Sequence, residues 1–391
     1  DSAYNYGNGR SEALVGKVLT LPILGRQLPV IADEWVDPSF GTGAVKVTPA
    51  HDPADFDVGE RHGLEQVVVI GNDGRMTAAA KQYAGLDRYE CREKVLQDLQ
   101  VQGLLKKIEP HRHSVGHCWR CGATVEPLVS SQWFVKMEPL AKLGMEAVEG
   151  GLVKITPERW RKVYLDWLAG VRDWPISRQL WWGHPLWVWR CEKCGQWTFG
   201  EEDPVACEHC RSPELVQEEG VLDTWFSSAL WPFATLGWPE ETEDLRYFYP
   251  TSVLVTGYDI LFFWVARMVF SGMKFTGREP FREVFLHGLV FDERGQKMTK
   301  SKGNVIDPLG CADQYGADAL RFALLSGLAH GQEYTWWEQR AVGARNFCNK
   351  VWNAARLVLM NSGDEKIPCQ VPLPETLAER WILSRCKTTI D

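Results

Sequence analysis

The amino-acid sequence predicts an α/β protein built around a doubly wound parallel sheet. One apolar strand ends at Gly257 and passes directly into a helical pattern, as strands of such a sheet do at their carboxyl ends. A second apolar stretch, residues 284–291, predicts a strand that stops at the turn-forming residues 292–295. From about Trp336 onward the pattern is helical. Because ligands bind at the carboxyl ends of strands in doubly wound sheets, functional residues are expected at these two strand ends.

Length and composition indicate a globular protein with more than one domain. The chain has 391 residues, of which 45% are hydrophobic and 24% charged, and this predicts two or three domains. Its net charge of −8 argues against a nonspecific nucleic-acid binder, but it leaves room for RNA bound through a local basic patch. The sequence has no uninterrupted run of 18 apolar residues, so no membrane span is expected.

The start of the chain predicts a piece of a longer protein, and the spacing of its cysteines predicts a reducing compartment. The chain begins at Asp1 without an initiator methionine or a signal-peptide pattern, so we interpret it as an internal piece of a longer protein. More than half of its 11 cysteines lie in Cys-x-x-Cys pairs. That spacing favours metal binding in a reducing cytoplasm over a disulfide framework.

Residues 1–115 are predicted to form an α/β region with many short strands. Residues 44–48 alternate as a strand does, and a cluster of polar residues follows them. The cluster consists of His51, Asp52, Asp55 and Asp57. Carboxylates near a lysine are able to hold an ammonium group, orient water or bind a metal. Equally, Asp52 or Asp55 is a candidate helix N-cap, and spacing alone leaves both interpretations open.

The cysteine pairs predict one complete metal site and half of another. Two pairs separated by 12 residues predict a tetrahedral four-thiolate zinc site, formed by Cys191, Cys194, Cys207 and Cys210. Such a site is structural, because no coordination position is left open for a substrate. A further pair, Cys118 and Cys121, supplies two of the four ligands that zinc needs. A redox dithiol is the alternative for this pair, but no thioredoxin-like βαβ pattern surrounds it.

A cationic loop follows the second predicted strand. Lys297, Lys300 and Lys302 lie in it, and Arg294 precedes it. Ammonium groups on flexible side chains are suited to polyphosphate, whereas the alternative is a solvated basic loop. At the other strand end, Asp259 is able to accept a hydrogen bond from a ribose hydroxyl or to cap a helix.

Local patterns also predict several structural features. Ile260 and Trp264 are four apart and are expected on one helix face, where core packing is the default role. The tryptophans of residues 173–185 are mostly expected in the core. Residues 313–325 are expected to form a helix, and Thr156 is expected to cap another.

Several motifs resemble class I aminoacyl-tRNA synthetases. Lys-Met-Thr-Lys-Ser at residues 297–301, followed by Lys-Gly-Asn-Val, resembles the second signature of that class, with Thr299 in place of the usual serine. Gly-Thr-Gly-Ala-Val-Lys-Val-Thr-Pro-Ala-His-Asp-Pro, at residues 41–53, resembles the editing domain of the valyl, isoleucyl and leucyl members. Asp-Thr-Trp-Phe-Ser-Ser-Ala at 223–229 and Gly-Tyr-Asp-Ile-Leu-Phe-Phe-Trp at 257–264 are similar to the valyl members specifically.

The resemblance implies three regions along the chain. Residues 1–115 would be an N-terminally truncated, β-rich editing domain. Residues 116–330 would be the C-terminal half of a Rossmann-like catalytic core, with a zinc-knuckle insertion at about 190–212. Residues 331–391 would begin an α-helical anticodon-binding bundle. The first signature of the class, His-Ile-Gly-His, does not occur in the chain, so this piece alone is not expected to aminoacylate.

The resemblance also implies roles for individual residues. Lys297 and Lys300 would stabilise charge on the phosphates of ATP. The rest of the ATP site would consist of Gly257, Asp259, His287, Gly288 and Leu289. The valine pocket would be walled by Trp225, Ile260 and Trp264. The site that hydrolyses tRNA mischarged with threonine would consist of Lys46, Thr48, Asp52 and Asp55.

The implied cofactors are ATP, Mg²⁺ and Zn²⁺, and the implied partners are valine and its tRNA. The protein is expected to be a cytoplasmic monomer that needs no membrane. Two alternatives remain at this point. One is an isoleucyl or leucyl member of the class, and the other is a non-enzymatic zinc-containing module that binds RNA.

Overall fold

The computed structural model describes residues 3–6, 14–37, 39–40, 42–110, 112–118, 121–362 and 373–390, and only the backbone of residues 3–6 and 301. The chain divides into two compact units, Asp1–Gln132 and Trp133–Asp391. Over this described part, no helix is both long enough and apolar enough to cross a membrane.

Unit 1, Asp1–Gln132, contains a small sheet and two α-helices. Its elements are β1 (Ala3–Tyr6), β2 (Val18–Thr20), β3 (Gln27–Ile31), β4 (Ala44–Val47), α1 (Pro53–His62), a 3₁₀ turn (Ala78–Tyr83) and α2 (Arg88–Val101). The strands lie in the order β2-β3-β1-β4, with β1 parallel to β3 and antiparallel to β4. Leu28 and Val30 alternate with exposed residues along β3 and are buried, as a strand with one covered face requires.

Helix α1 follows β4 after a short turn and packs on the sheet through Val58, which meets Val47 in the core. It begins at Asp52, whose carboxylate accepts the backbone N–H groups of Ala54 and Asp55 at 2.8 and 3.0 Å. Asp52 is therefore the N-cap of α1, whereas the sequence alone allowed either Asp52 or Asp55 in this role. Since Asp55 lies three residues before Val58, it faces the sheet as well.

Unit 2, Trp133–Asp391, is a mixed α/β unit with one parallel sheet. Its strands are β5 (Phe134–Val135), β6 (Lys154–Thr156), β7 (Trp174–Pro175), β8 (Ser177–Arg178), β9 (Val188–Cys191), β10 (Trp197–Phe199), β11 (Leu215–Gln217), β12 (Val221–Leu222), β13 (Thr251–Gly257), β14 (Phe281–His287), β15 (Val290–Phe291) and β16 (Tyr334–Thr335). Its α-helices are α3 (Glu138–Glu149), α4 (Arg159–Ala169), α5 (Thr224–Ser228), α6 (Trp231–Ala234), α7 (Glu243–Phe248), α8 (Arg267–Phe275), α9 (Pro308–Tyr315), α10 (Ala317–Leu325), α11 (Glu338–Ser362) and α12 (Leu377–Ile390). Residues 363–372, which the sequence places in the final helical region, lie outside the described residues.

The parallel sheet of unit 2 has the strand order β13-β14-β6, which confirms the predicted α/β class. Ile155, Val284 and Leu286 are buried in its core, to which helices α3, α4 and α8 also contribute apolar side chains. The register pairs Gly257 with His287. The carboxyl ends of β13 and β14 therefore lie side by side at one edge of the sheet.

The predicted strand at 284–291 is in fact two strands. β14 ends at His287, and β15 pairs instead with β16. The break falls at Gly288, because the carbonyl oxygen of Gln332 lies 1.8 Å from the position that a Cβ atom would take there. This close approach leaves no room for a side chain, and the backbone turns out of the sheet.

Two helix predictions also need correction. The helix expected at residues 313–325 is interrupted by Gly316, whose φ of 98° and ψ of 142° separate α9 from α10. Thr156 does not cap a helix. It ends β6 instead, and its hydroxyl donates to Glu283 Oε1 at 2.6 Å.

The expectation that the tryptophans of residues 173–185 are mostly in the core is wrong. Trp174 is buried, but Trp181 and Trp182 are 105% and 92% exposed. They precede Gly183, where Val221 leaves no space for a side chain: a Cβ atom on Gly183 would lie 2.9 Å from it. The chain is anchored at this glycine, and the two indoles before it project into solvent.

Candidate active sites

A lysine and a carboxylate meet at the edge of the parallel sheet in unit 2. Asp259 lies in a 3₁₀ turn, Tyr258–Ile260, that begins directly after β13. The ammonium of Lys297 lies 2.6 Å from Asp259 Oδ2, and both side chains are partly exposed. Two residues that are 38 positions apart in sequence are thus paired at the predicted ligand-binding edge.

Three further predicted residues surround this pair. A Cβ atom on Gly257 would lie 2.5 Å from Asp259 Oδ1, 3.2 Å from Leu289 Cδ2 and 3.6 Å from His287 Cε1. Glycine at this position therefore allows the side chains of both strand ends to converge. The ring nitrogen Nδ1 of His287 lies 2.8 Å from the carbonyl oxygen of Gly288.

A strap formed by residues 331–333 crosses the same edge. Arg159 donates to the carbonyl of Gly331 at 2.7 Å, and Tyr258 donates to Glu333 Oε1 at 2.7 Å. This bond to Glu333 raises the pKa of Tyr258 to about 12. Between them, the carbonyl of Gln332 covers Gly288. The strap could not be predicted from the sequence, since nothing in its local pattern shows which strand it will cross.

The lysine loop is held by the side chain of Asn304. Asn304 Oδ1 accepts the backbone N–H of Thr299 at 2.9 Å, and Nδ2 donates to Asp292 Oδ2 at 2.9 Å and to the carbonyl of Lys297 at 3.3 Å. The bond from Asn304 is the main cause that lowers the pKa of Asp292. Lys300 lies in the exposed 3₁₀ turn Lys300–Lys302. The loop is thus tied at its base, while its lysine side chains reach solvent.

The residues predicted to wall an amino-acid pocket come from two neighbouring elements. Trp225 lies on α5, and its ring centroid is 6.1 Å from that of Phe263. Trp264 donates from Nε1 to the carbonyl of Ser228, the last residue of α5, at 3.3 Å. Ile260, four residues before Trp264 in the sequence, is partly buried.

The expected α-helical face shared by Ile260 and Trp264 is wrong. Ile260 ends the 3₁₀ turn with φ −112° and ψ 18°, and Trp264 lies in a π-helix, Leu261–Ala266. A spacing of four places two residues on one face only when the helix has 3.6 residues per turn. π-helical turns are frequent at functional sites.

The four residues predicted to act in unit 1 form one connected group. The ammonium of Lys46 donates to the hydroxyl of Thr48 at 2.7 Å. The backbone N–H of Thr48 donates to Asp55 Oδ2 at 2.6 Å. Asp52 lies at the start of the same helix as Asp55 and is exposed. Burial raises the pKa of Asp55, although the hydrogen bond from Thr48 opposes that rise.

The four cysteines of the predicted complete site converge. Their sulfur atoms lie within 4.8 Å of one another, with 3.5 Å between Cys191 and Cys210 and 3.6 Å between Cys194 and Cys207. Each pair sits in a tight turn in which a backbone N–H four residues later donates to the carbonyl of the first cysteine. Backbone hydrogen bonds, first from Cys210, lower the pKa of Cys207 to about 6.

The pair Cys118 and Cys121 does not belong to such a group in the described part of the chain. The backbone N–H of Gly122 donates to the carbonyl of Cys118 at 2.8 Å, the same four-residue spacing as in the other two pairs. Cys121 is exposed. The half site therefore stays a prediction.

The class of protein follows from a comparison with known families. Class I tRNA synthetases (I, L, M and V) match residues 54–336, which is most of the chain. The chain belongs to this family.

Individual relatives narrow the similarity further. The chain is 56% identical over 384 residues to the valine–tRNA ligase of Symbiobacterium thermophilum, and the match covers 98% of this chain and 42% of that protein. It is 54% identical to the valine–tRNA ligase of Clostridium acetobutylicum, over 99% of this chain and 44% of that one. The Thermotoga maritima valine–tRNA ligase is 53% identical over 98% and 44%. The chain thus spans less than half the length of the curated relatives it matches.

Proposed function

We propose that the protein is a valine–tRNA ligase. In the first step, a carboxylate oxygen of valine attacks the α-phosphorus of ATP, and pyrophosphate leaves. In the second step, the valyl group passes to the terminal adenosine of the tRNA, and AMP leaves. The observation that supports this most is the convergence of Asp259, His287 and Lys297 at one sheet edge, in a chain that resembles valine–tRNA ligases.

Each residue at the sheet edge has a proposed part in the first step. Asp259 accepts from the ribose, and His287, Gly288 and Leu289 flank the adenine. Lys297 and Lys300 stabilise negative charge that grows on the phosphates as pyrophosphate leaves. Mg²⁺ accompanies ATP and spreads its charge, and no side chain of this chain is assigned to it.

The contact between Lys297 and Asp259 supports a sequence of events. In the structure the ammonium is bound to the carboxylate at 2.6 Å. A ribose hydroxyl that donates to Asp259 competes for the same oxygen. Binding of the nucleotide therefore exchanges the partner of Lys297, from the carboxylate to the phosphates. Because Asn304 ties the base of the loop, this exchange needs movement of the lysine side chain and little movement of the backbone.

We also propose that unit 1 edits threonyl-tRNA. Threonine has almost the shape of valine, and an apolar pocket only weakly rejects an analogue that differs by an added hydroxyl. Asp55 is buried and already accepts one backbone N–H, so it is positioned to accept from a polar ligand as well. The hydroxyl and ammonium of a misattached threonine are such donors. On this proposal, residues 1–115 are an editing domain, 116–330 the catalytic core and 331–391 the start of an anticodon-binding bundle.

The cysteine group fits Zn²⁺. Four zinc–sulfur bonds of about 2.3 Å in a tetrahedron require sulfur–sulfur distances of about 3.8 Å. The observed distances of 3.5 and 3.6 Å are close to that value. We propose that Cys191, Cys194, Cys207 and Cys210 hold one structural zinc ion that joins the turns around β9, β10 and β11.

Metal analysis of this chain, purified without chelator, tests the zinc proposal. One zinc per chain is expected, and Cys194→Ser combined with Cys207→Ser should remove it. A matched variant, Cys118→Ser with Cys121→Ser, should keep it. A wild-type chain without zinc above background would contradict the proposal.

The activity is tested by amino-acid-dependent exchange of pyrophosphate into ATP, in the full-length protein. Valine should support exchange far better than isoleucine or leucine. Exchange driven by isoleucine or leucine instead would assign the protein to another member of the class. Binding of tRNA without any amino-acid-dependent exchange would point to a non-enzymatic RNA-binding module.

A further inference from the structure

A buried carboxylate begins the helix that carries Trp225, one of the residues proposed to wall the amino-acid pocket. Asp223 is 5% exposed and caps α5, where its Oδ1 accepts the backbone N–H of Trp225 at 3.2 Å. Its Oδ2 accepts from Trp174 Nε1 at 2.9 Å and from Arg178 at 2.8 Å. One carboxylate thus joins the element that carries Trp225 to strands β7 and β8.

The other partner of this carboxylate is a buried arginine. Arg267 is 7% exposed, and its Nη1 lies 3.5 Å from Asp223 Oδ2 without making a hydrogen bond in the described structure. Its guanidinium stacks 3.6 Å above the ring of Trp174 and 5.6 Å from that of Phe263. Burial lowers the pKa of Arg267 to about 10, and Asp223 opposes that change.

Asp223 and Arg267 lie at the two ends of the pocket wall. Asp223 begins the helix that carries Trp225, and Arg267 follows directly after the π-helix that carries Trp264. Removing one partner of a buried charge pair is costly, because the other charge is left uncompensated in a poorly solvated interior. The separation between the helix that carries Trp225 and the one that carries Trp264 therefore depends on this contact.

We propose that Asp223 and Arg267 are positioning residues that set the width of the amino-acid pocket and thereby select the side chain it accepts. This inference rests on the proposed valine–tRNA ligase activity. One methylene in an apolar pocket changes discrimination by roughly 10- to 200-fold, so a small change in the separation of the two indoles is enough to alter selectivity.

The test compares three variants in valine- and isoleucine-dependent pyrophosphate exchange by the full-length protein. Asp223→Asn keeps the shape but removes the charge, and Arg267→Met keeps an apolar side chain of similar length. Both should lower the ratio of kcat/KM for valine over isoleucine by about 10-fold, mainly through KM for valine. KM for ATP should not change. Arg267→Lys, which keeps the charge but not the planar stack, should lie between them and wild type.

A matched variant separates selectivity from general stability. Glu283→Gln removes the charge that pairs with Lys154, a contact of the same unit in which neither α5 nor the π-helix takes part. It should lower the melting temperature without changing the valine-to-isoleucine ratio. If Asp223→Asn does not fold, Arg267→Lys decides the question by itself.

Two outcomes overturn the inference in distinguishable ways. A folded Asp223→Asn or Arg267→Lys protein with wild-type selectivity would show that the pair only stabilises the fold. A wild-type protein without valine-dependent exchange would overturn the proposed function, and this inference with it.

Discussion

The two candidate sites of this protein are assembled in opposite ways. The site in unit 1 comes from one continuous stretch, residues 46–55, that runs from a strand through a turn into a helix. The site in unit 2 is assembled from residues at 257–259, 287–289, 297–304 and 331–333, which meet because β13 pairs in parallel with β14 and β15 pairs in parallel with β16.

The difference shows which part of each site is fixed. In unit 1 the central carboxylate, Asp55, is buried and held by a backbone N–H, so its position is set by the fold. In unit 2 the charged atoms are partly exposed, and Lys297 is held by another side chain. A locally built site should tolerate distant changes, whereas the assembled one should respond to any residue that holds its segments together.

The largest effect is expected from the lysines of the assembled site. Lys297→Ala and Lys300→Ala should each slow valine-dependent pyrophosphate exchange, with little effect on valine binding. Each removes charge stabilisation that is greatest in the transition state, about 2–4 kcal/mol, or roughly 30- to 1,000-fold in rate. Lys302→Ala, a neighbour in the same turn, is the control and should retain the rate. A loss of valine affinity without slower exchange would contradict the assigned role.

The locally built site should fail independently of the other. Asp55→Ala should leave valine activation close to wild type and allow threonyl-tRNA to accumulate. Valine offers no hydroxyl, so a valyl ester leaves a buried acceptor unpaired, a penalty of roughly 1–3 kcal/mol that a threonyl ester avoids. Charging of tRNA with labelled threonine measures the effect, alongside valine-dependent exchange. A variant that activates valine poorly but still clears threonyl-tRNA would reverse the comparison.

A single methyl group should disturb the assembled site without touching its charges. Gly288→Ala places a carbon 1.8 Å from the carbonyl oxygen of Gln332, and the strap must move away. Overpacking of this kind costs about 1–3 kcal/mol, and KM for ATP should rise while the editing reaction is unaffected. The control is Gly343→Ala in α11, where a Cβ atom meets nothing within 4 Å. Equal ATP affinity in both variants would show that the strap does not shape the site.

The smallest effect concerns acid stability of unit 1. The pKa of Asp33 lies well below its usual range. The largest cause is the hydrogen bond from the side chain of Arg61, and the backbone N–H of Trp35 and the side chain of His62 add to it, while burial opposes them. A carboxyl whose pKa is lowered by folding stabilises the fold at any pH above the pKa it has in the unfolded chain, about 3.9. That stabilisation is lost as the pH falls below this value. Thermal unfolding between about pH 4 and pH 2 should therefore show a smaller decline in Asp33→Asn than in wild type. An identical decline in thermal stability in the two proteins would show that Asp33 does not contribute to acid stability.

Local chemistry was visible in the sequence, and long-range assembly was visible only in part. The spacing of Cys191, Cys194, Cys207 and Cys210 was sufficient to predict that they converge, because each turn is short and self-contained. The strand before Gly257 was also correct, since apolar strands that end in glycine have a strong pattern. The roles of the individual site residues stay predictions.

Errors arose where tertiary contacts override a local period. The 3₁₀ turn and π-helix after Gly257 break the spacing that was used for Ile260 and Trp264. Asp223 and Arg267 were missed, although both left signals. An aspartate directly before Thr224 is typical of an N-cap, and a single arginine within an apolar helical run indicates a buried charge that needs a partner.

The strap at residues 331–333 has a mechanical consequence. It is held at three points, by Arg159, Tyr258 and Gly288, and α11 begins only a few residues later, at Glu338. An α-helix rises about 1.5 Å per residue, so sliding α11 by a single position would drive the Gln332 carbonyl into Gly288 or tear it away. The start of α11 is therefore coupled through the strap to the carboxyl ends of β13 and β14. On the proposed function, a ligand that shifts α11 is expected to change the affinity for ATP, and by linkage ATP is expected to change the affinity for that ligand by the same factor.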